Sequence, residues 1–435
     1  MKFICTSDWH LGNVFHGNDR LAEHLHFLGW LTEQIKAQQP DVLLIAGDVF
    51  DNANPSAAAQ KACYRFLVEA TQACPDLQVV VIAGNHDSAN RLEAPRDLLS
   101  CHHVEVRGSV RRLYSIGTEN NETREYDLDD LIIAVKGRTV GEEAVVLAVP
   151  FLRSDIALES SYSKGVNALM RSLTKRARVL YPGLPLVMMA HMYATGADIA
   201  ATGASERLVI GGQEQVNLDM EGDRPDYLTC GHIHKRQHIW NTDWARYSGS
   251  VLPMSFVEAD YCHGVDFVTL TAGQKPKSEF LQYQPERRLV SLPREGEAGL
   301  NELKQLIQDE LPDRGPDGQL TSHACYLELK LTSDRVRPED RAAIEAAVER
   351  KDAVICRLQQ VLPAIEVATV VGGERFTSVD DILNRDPKEA VKECFQIMNN
   401  GREMNERQLQ MLDRIMQSIQ ADSTEEEEQT DTTKD

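Results

Sequence analysis

The chain has 435 residues, 42% of them hydrophobic, and a formal net charge of −21. This length supports two to three domains with a sizeable core, and the acidic balance argues against non-specific binding of nucleic acid. No apolar run approaches the roughly 20 residues of a membrane span, and Met1 leads straight into an apolar segment without a targeting signal. The nine cysteines contain no C-x-x-C pair, which is typical of free thiols in a reducing compartment. We therefore expect a cytoplasmic protein that does not enter membranes.

The first part of the chain, up to about residue 271, alternates short β-rich runs with amphipathic helices. The spacing of apolar residues predicts helices over 21–37, 56–70 and 165–179. Strands at 246–248, 265–270 and 280–283 make the end of this part strand-rich. The pattern favours an α/β (α+β) fold with a mixed sheet or a two-sheet β-sandwich flanked by helices.

Turn-rich segments after residue 271 mark the beginning of a smaller α+β unit. Its predicted elements are a helix at 300–311, a strand at 324–331, a long helix at 338–361 and a strand at 364–371. Pro338 is suited to the first turn of its helix.

A third segment begins near residue 373 with two short amphipathic helices. Helices of this size cannot bury their apolar stripes alone. They either pack on the main body or dock a partner helix or coiled coil. The final stretch, 422–435, holds seven carboxylates and one lysine, so it is expected to be a disordered acidic tail.

Five short polar signatures each follow an apolar run of residues. This shared context is the basis for predicting a functional site. Taken alone, each is also explained by an ordinary polar turn or a surface pair. Together they indicate strands that end at one edge of a sheet, and in a strand a spacing of two residues places both side chains on one face. The signatures are Asp8-Trp9-His10, Gly47-Asp48-Val49-Phe50-Asp51, Gly84-Asn85-His86-Asp87, His191 and Gly231-His232-Ile233-His234.

The residue types in these signatures indicate a metal site. Carboxylates, imidazoles and an amide, without a thiolate, suit manganese, iron or zinc. Two ions about 3.5–4 Å apart need a bridging group, and a carboxylate bridges best because it has two oxygens. Such a pair activates a water and stabilises a phosphoryl group. We expect His86 to face the phosphate as a proton or hydrogen-bond donor, and Asp87 to fix its tautomer.

At these residues the chain resembles the calcineurin-like metallophosphoesterase superfamily. The match comprises D-x-H, G-D-x-F-D, G-N-H-D, a single histidine and G-H-I-H. Within it, T-S-D-W-H-L-G, A-G-D-V-F-D, A-G-N-H-D-S and Y-S-G-S followed by Pro253, Ser255 and Phe256 closely resemble the SbcD family, the nuclease subunits of bacterial SbcCD complexes. The resemblance covers residues 1 to about 270.

The resemblance implies a role for each matched residue. His86 would be the catalytic histidine, and Asp48 would bridge two divalent ions, for which we expect Mn²⁺. One ion would take Asp8, His10, Asp48 and His234. The other would take Asp48, Asn85, His191 and His232.

The resemblance also implies a domain plan and partners. Residues 1–272 would form the nuclease domain, 273–372 a DNA-capping domain, and 373–421 a segment that docks on an SbcC-type ATPase. ATP use would belong to that partner, since the chain has no G-x-x-x-x-G-K-[ST] loop. The expected activities are 3'–5' exonuclease on double-stranded DNA ends and endonuclease on single strands and hairpin DNA, by a homodimer associated with the nucleoid.

Two alternatives remain at this point. The same chemistry on a small cyclic nucleotide would not need the extra domains, and a catalytically silent scaffold would hold little metal. Two basic clusters are candidate DNA contacts, but ordinary solvated faces also explain them. The first is Arg107, Arg111 and Arg112, and the second is Arg171, Lys175, Arg176 and Arg178.

Overall fold

The computed structural model describes residues 1–116, 122–153, 161–195, 215–220, 222–240, 242–333 and 337–361, together with 388, 392, 395–396, 403–409 and 411–412. The chain divides into two compact units, Met1–Pro363 and Ala364–Asp435. The predicted strand 364–371 and the tail 422–435 lie outside the described residues, as does most of the predicted docking segment 373–421. The predicted domain boundaries at 272 and 372 stay predictions.

Strands and helices follow one another along the first unit. The strands are β1 (Lys2–Thr6), β2 (Val14–Phe15), β3 (Asn18–Asp19), β4 (Val42–Ala46), β5 (Gln78–Ile82), β6 (Val104–Arg107), β7 (Arg112–Ile116), β8 (Glu122–Tyr126), β9 (Ile132–Lys136), β10 (Glu143–Val149), β11 (Leu186–His191), β12 (Tyr227–Gly231), β13 (Gln237–His238), β14 (Ala245–Tyr247), β15 (Gly264–Thr269), β16 (Lys277–Gln282), β17 (Leu289–Leu292), β18 (Cys325–Thr332) and β19 (Ala353–Val361). The helices are α1 (Leu21–Gln38), α2 (Ala57–Ala73), α3 (Ala89–Glu93), α4 (Arg96–Ser100), α5 (Tyr162–Leu180), α6 (Leu300–Glu310) and α7 (Pro338–Val348), with 3-10 turns at Asp129–Leu131 and Phe256–Glu258.

Two six-stranded sheets form the centre of the unit. The first has the order β16-β15-β1-β4-β5-β6 and the second β13-β14-β12-β11-β10-β9. In the first sheet β1, β4, β5 and β6 run parallel, and in the second β10, β11, β12 and β14 do. Side chains from both sheets share one core, including the fully buried Phe3, Leu44, Val146 and Val187. The sheets therefore pack face to face.

Helices cover the outer face of each sheet. Phe27 and Phe66, from α1 and α2, pack with Leu43 of the first sheet, and Leu173 of α5 packs with Met188 of the second. Because both faces are covered, β4 is a continuous apolar run that is buried throughout. This arrangement confirms the predicted two-sheet sandwich flanked by helices.

A third, three-stranded sheet follows, in the order β17-β18-β19. All three strands run parallel, and α6 and α7 share their core. The single long helix predicted over 338–361 is wrong, because α7 ends at Val348 and β19 begins at Ala353. Between α7 and β19, the side chain of Lys351 donates hydrogen bonds to the carbonyls of Gln308 and Leu311, at the end of α6. These bonds hold the turn from which the chain returns to pair with β18.

No helix in the described ranges is long and apolar enough to cross a bilayer.

Candidate metal centre

The five predicted signatures all lie at the carboxyl ends of parallel strands. Asp8 follows β1, Asp48 follows β4 and Asn85 follows β5. In the other sheet His191 is the last residue of β11 and pairs with Gly231, the residue before His232. Because the carboxyl ends of neighbouring parallel strands share an edge, both sheets bring polar side chains to the same region.

The backbone in this region adopts an uncommon conformation. Asp8, His10, Asp48 and His232 have φ values of 51°, 47°, 49° and 98°, in the left-handed region that non-glycine residues seldom occupy. Asp8 and His10 do not share one face of a strand as predicted, because β1 ends at Thr6 and both residues belong to the following loop. Strain of this kind costs on the order of 1–3 kcal/mol per residue and is concentrated at functional sites.

Two glycines allow the loops to approach each other closely. A Cβ at Gly47 would collide with the imidazole of His191, and a Cβ at Gly84 would collide with the carboxylate of Asp48. Glycine is therefore required at both positions for steric reasons, and at Gly47 also because φ is +88°.

One group of candidate ligands surrounds His10. Donor atoms of Asp8, His10 and His234 all lie within 4.8 Å of one another. The Nε2 atom of His10 lies 3.7 Å from Oδ2 of Asp48. This group contains the four residues assigned above to the first ion.

A second group surrounds Asn85. Its Oδ1 atom lies 2.9 Å from Nε2 of His191 and 2.9 Å from Nδ1 of His232. Oδ2 of Asp48 lies 3.4 Å from the same Nε2 atom of His191. Asp48 therefore contacts both groups, which is the position that a bridging carboxylate requires.

The hydrogen-bonding atoms of the second group fit a cation. Nδ1 of His191 lies 2.9 Å from the carbonyl oxygen of Ala46, which accepts the ring proton and leaves Nε2 facing the oxygens of Asn85 and Asp48. A second proton on the ring or a metal ion satisfies this arrangement. Burial opposes the charged ring, but the Asp48 carboxylate outweighs that effect and raises the pKa of His191 to about 9.

Further observations agree with metal binding. Among the described residues, the buried Nε2 atom of His10 has no hydrogen-bond partner, although buried polar atoms are normally paired. Burial opposes ionisation of Asp48, yet the neighbouring His191 and His10 hold the pKa of this carboxyl well below its usual range. Burial, more than any neighbouring charge, lowers the pKa of His232 to about 3, which leaves this ring neutral.

Two residues that support the candidate ligands were not predicted from the sequence. The carboxylate of Glu258 lies 3.3 Å from Nδ1 of His234, and that of Asp51 lies 3.6 Å from Nδ1 of His10. Such contacts orient a ligating imidazole with its other nitrogen toward the metal. Asp51 belongs to one of the five signatures, so its position was a usable signal. Glu258 lies 24 residues beyond its partner and outside every motif named above.

His86 stands at the rim of an open cleft of about 810 Å³ that His10, His234 and Asp51 also line. Its Nδ1 atom lies 2.8 Å from the backbone carbonyl oxygen of Asp51, which fixes a proton on that nitrogen. Its ring meets that of His10 edge-on, with centroids 4.8 Å apart. The ring is thus held in place beside the first group of candidate ligands.

Asp87 occupies a different place from the one predicted. Its carboxylate accepts hydrogen bonds from the backbone N–H groups of Val49, Phe50 and Gly84 at 2.9–3.1 Å. The tautomer of His86 is fixed by the Asp51 carbonyl instead. Asp87 therefore ties the loop after β4 to the loop after β5. Burial and the nearby Asp48 raise its pKa to about 6 against the effect of these bonds.

Comparison with known proteins agrees with this geometry. The family model of calcineurin-like phosphoesterases matches residues 1–236. Relatives named as SbcD nucleases of SbcCD include one from Rhodobacter capsulatus, 35% identical over 360 residues that cover 80% of this chain and 84% of the relative. Those of Escherichia coli K12 and Bacillus subtilis are 28% and 30% identical, covering 80% and 63% of this chain and 82% and 68% of theirs. The chain therefore belongs to the calcineurin-like phosphoesterase family and, within it, to the SbcD family, and it is a metal-dependent hydrolase of phosphodiester bonds.

Proposed function

We propose that this protein is a DNA nuclease that hydrolyses phosphodiester bonds at a centre of two divalent ions, with Mn²⁺ as the native metal. The observation that carries the proposal is the position of Asp48, whose Oδ2 atom faces His10 on one side and His191 on the other. The proposed ligands are the seven assigned above: Asp8, His10, Asp48, Asn85, His191, His232 and His234.

The protein's own groups prepare this centre for catalysis. When bound, the two ions would polarise the phosphoryl group and activate a water. His191 is fixed by the Ala46 carbonyl, and His234 by Glu258, so the ligands need little reorganisation. In our proposal His86, held through Nδ1 by Asp51, acts as a doubly protonated imidazolium, whose Nε2–H donates a hydrogen bond or its proton to an oxygen of the scissile phosphate and leaves the neutral ring.

The substrate we propose is DNA, cleaved 3'–5' from double-stranded ends and internally in single strands and hairpins. Support comes from the relatives, which are named as nucleases and match this chain over most of their length. The candidate centre also opens into a cleft whose far wall contains Lys330, Arg357 and Gln359 of the third sheet. A small phosphodiester does not require such a wall.

We further propose that the protein works with an SbcC-type ATPase in DNA end processing, recombination and repair. The relatives are named as components of SbcCD. In this proposal residues 1–272 form the nuclease domain, 273–372 the capping domain and 373–421 the docking segment, and the active form is a homodimer in the bacterial cytoplasm.

The test is a cleavage assay with Mn²⁺ on a hairpin oligonucleotide, a blunt duplex and a cyclic nucleotide, each with and without the ATPase. We expect turnover of both DNA substrates, faster with the ATPase, and loss of activity on chelation. Faster turnover of the cyclic nucleotide than of either DNA would contradict the proposal.

A further inference from the structure

The cleft at the candidate metal centre continues into a second groove. This basic groove, of about 550 Å³, shares Phe256, Val257, Glu328 and Lys330 with the walls of the cleft. A chain that leaves the candidate metal centre along this direction would therefore cross the two apolar side chains before it enters the groove.

The ridge between the two cavities is a fixed element. It is the 3-10 turn Phe256–Glu258, and its last residue is the carboxylate that orients His234. The ring of Phe256 packs on Phe15 and His16, with centroids 5.3 Å and 5.8 Å away, while Val257 is 41% exposed. The ridge thus presents an apolar surface at a defined place beside the metal centre.

The groove beyond the ridge concentrates positive charge in an acidic chain. Four cations, Arg287, Arg288, Arg294 and Lys330, line it against two carboxylates, Asp260 and Glu328. Arg288 and Arg294 are exposed, and the guanidinium of Arg287 lies over the ring of Tyr326 at 5.2 Å.

The two basic clusters predicted from the sequence lie outside this groove. Arg171, Lys175, Arg176 and Arg178 each form an ion pair with an aspartate. Arg107 and Arg111 both lie near Asp130. The groove has ion pairs of its own, Arg294 with Glu310 at 3.5 Å and Lys330 with Glu328 at 4.0 Å. It is the better candidate for phosphate contacts because it shares its walls with the cleft at the candidate metal centre.

Buried contacts hold the two walls of the groove together. The hydroxyl of Tyr326 in β18 donates to Glu23 of α1 at 2.8 Å. Arg20 binds the same carboxylate through two hydrogen bonds and also donates to the carbonyl of Pro253, which lines the groove. The seam between the third sheet and the main sandwich is therefore fixed, and the groove is formed before any ligand arrives.

We infer that one strand of the DNA substrate runs from the metal centre over the Phe256–Val257 ridge into the basic groove, an inference that rests on the proposed function. Cavities of a few hundred Å³ accommodate ligands of drug size, which suits a single strand. A basic groove combined with apolar and aromatic side chains for base stacking is how proteins hold single strands without reading sequence. Arg288 and Arg294 contact its phosphates, and Phe256 and Val257 contact a base.

The test compares the double variant Arg288→Ala/Arg294→Ala with the control Arg65→Ala/Arg341→Ala. The control removes the same charge from exposed arginines that line neither cavity. The readouts are kcat/KM for a single-stranded oligonucleotide, divided by that for bis(4-nitrophenyl) phosphate, and the salt dependence of oligonucleotide binding. We expect the ratio to fall about tenfold or more in the double variant, and the slope of log K against log salt to shrink by about 1.4, for two lost contacts at about 0.7 each.

Two results would overturn the inference, and they are distinguishable. If the double variant and the control share the same ratio and the same slope, the strand does not follow this groove, and the proposed function stands. If the wild-type protein turns over bis(4-nitrophenyl) phosphate but cleaves no DNA, the proposed function fails and the inference fails with it.

Discussion

The backbone N–H of His86 donates a hydrogen bond to Oδ1 of Asp48 at 2.9 Å. This bond joins the proposed catalytic histidine to the proposed bridging carboxylate, while the Oδ2 atom of Asp48 faces His10 and His191. The loops after β4 and β5 are thus connected at the point where chemistry would occur. A displacement of one loop would disturb both metal binding and proton transfer.

Replacing His86 by alanine tests the separation of these two roles. Because the side chain contacts the Asp51 carbonyl and is not among the proposed ligands, we expect His86→Ala to lower kcat about 10²–10⁴-fold and to retain its metal. Mn²⁺-dependent hairpin cleavage and metal content are measured together. His102→Ala, at an exposed turn, serves as control. Cleavage by His86→Ala at the wild-type rate would remove this residue from catalysis.

A methyl group at Gly84 tests the tight approach of the two loops. The new Cβ would collide with the Asp48 carboxylate, and displacement of a catalytic group by about 1 Å can cost about 10²-fold in rate. We expect Gly84→Ala to lose at least that much activity, together with metal affinity. Gly29→Ala is the matched control, since Gly29 lies in α1 with open space around it. There alanine should raise the free energy of unfolding by roughly 0.5–1 kcal/mol. Full activity in Gly84→Ala would contradict the geometry.

Glu258 offers a test outside the proposed ligand set. Its carboxylate orients His234, and loss of such a partner typically weakens metal binding about 10–100-fold. We expect Glu258→Gln to weaken Mn²⁺ binding by that factor in a titration. Glu279→Gln, an exposed site on β16, should bind as the wild type does. Equal affinities of the two variants would show that Glu258 does not support the metal.

His24, which lies close to His10 and Asp51 but is not a proposed ligand, predicts a pH dependence of stability. Burial and the nearby Arg20 lower the pKa of this histidine to about 3, below its usual value of about 6.5. The unfolded chain therefore binds more protons between these values, so the free energy of unfolding falls as pH falls from about 6.5 toward 3. One group contributes a slope of up to about 1.4 kcal/mol per pH unit.

Urea unfolding with a chelator present, at several pH values, measures this slope. His24→Leu should flatten it, whereas His102→Leu should leave it as in the wild type. The explanation fails if His24→Leu and the wild type lose stability equally between about pH 6.5 and 4.

The sequence was informative about the centre because the strands leading to it are short, apolar and followed at once by polar residues. That local pattern predicts that Asp8, Asp48, Asn85 and His191 lie at strand ends, whatever the arrangement of the sheets. It carries no information on contacts between distant segments. The contact between Glu258 and His234 depends on the tertiary fold alone. The carboxylate of Asp87 accepts hydrogen bonds from backbone N–H groups of another loop.

The wrong helix after Pro338 has a similar cause. Residues 349–361 contain several good helix formers, so local propensity continued α7 beyond its end. The segment instead pairs with β18 from Ala353 onward, and Asp352 accepts a hydrogen bond from the backbone of Thr321 at 2.8 Å. Pairing with a distant strand overrides a local preference, and no local pattern records it.

Metal stoichiometry tests the central claim most directly. The protein is loaded with Mn²⁺, freed of excess ion by gel filtration and analysed by atomic spectroscopy beside Asp48→Ala and His102→Ala. Because Asp48 contacts both groups of ligands, we predict about two ions per chain in the wild type and in His102→Ala, and fewer than about one in Asp48→Ala. Two ions retained by Asp48→Ala, or fewer than about one in the wild type, would contradict a centre built around this carboxylate.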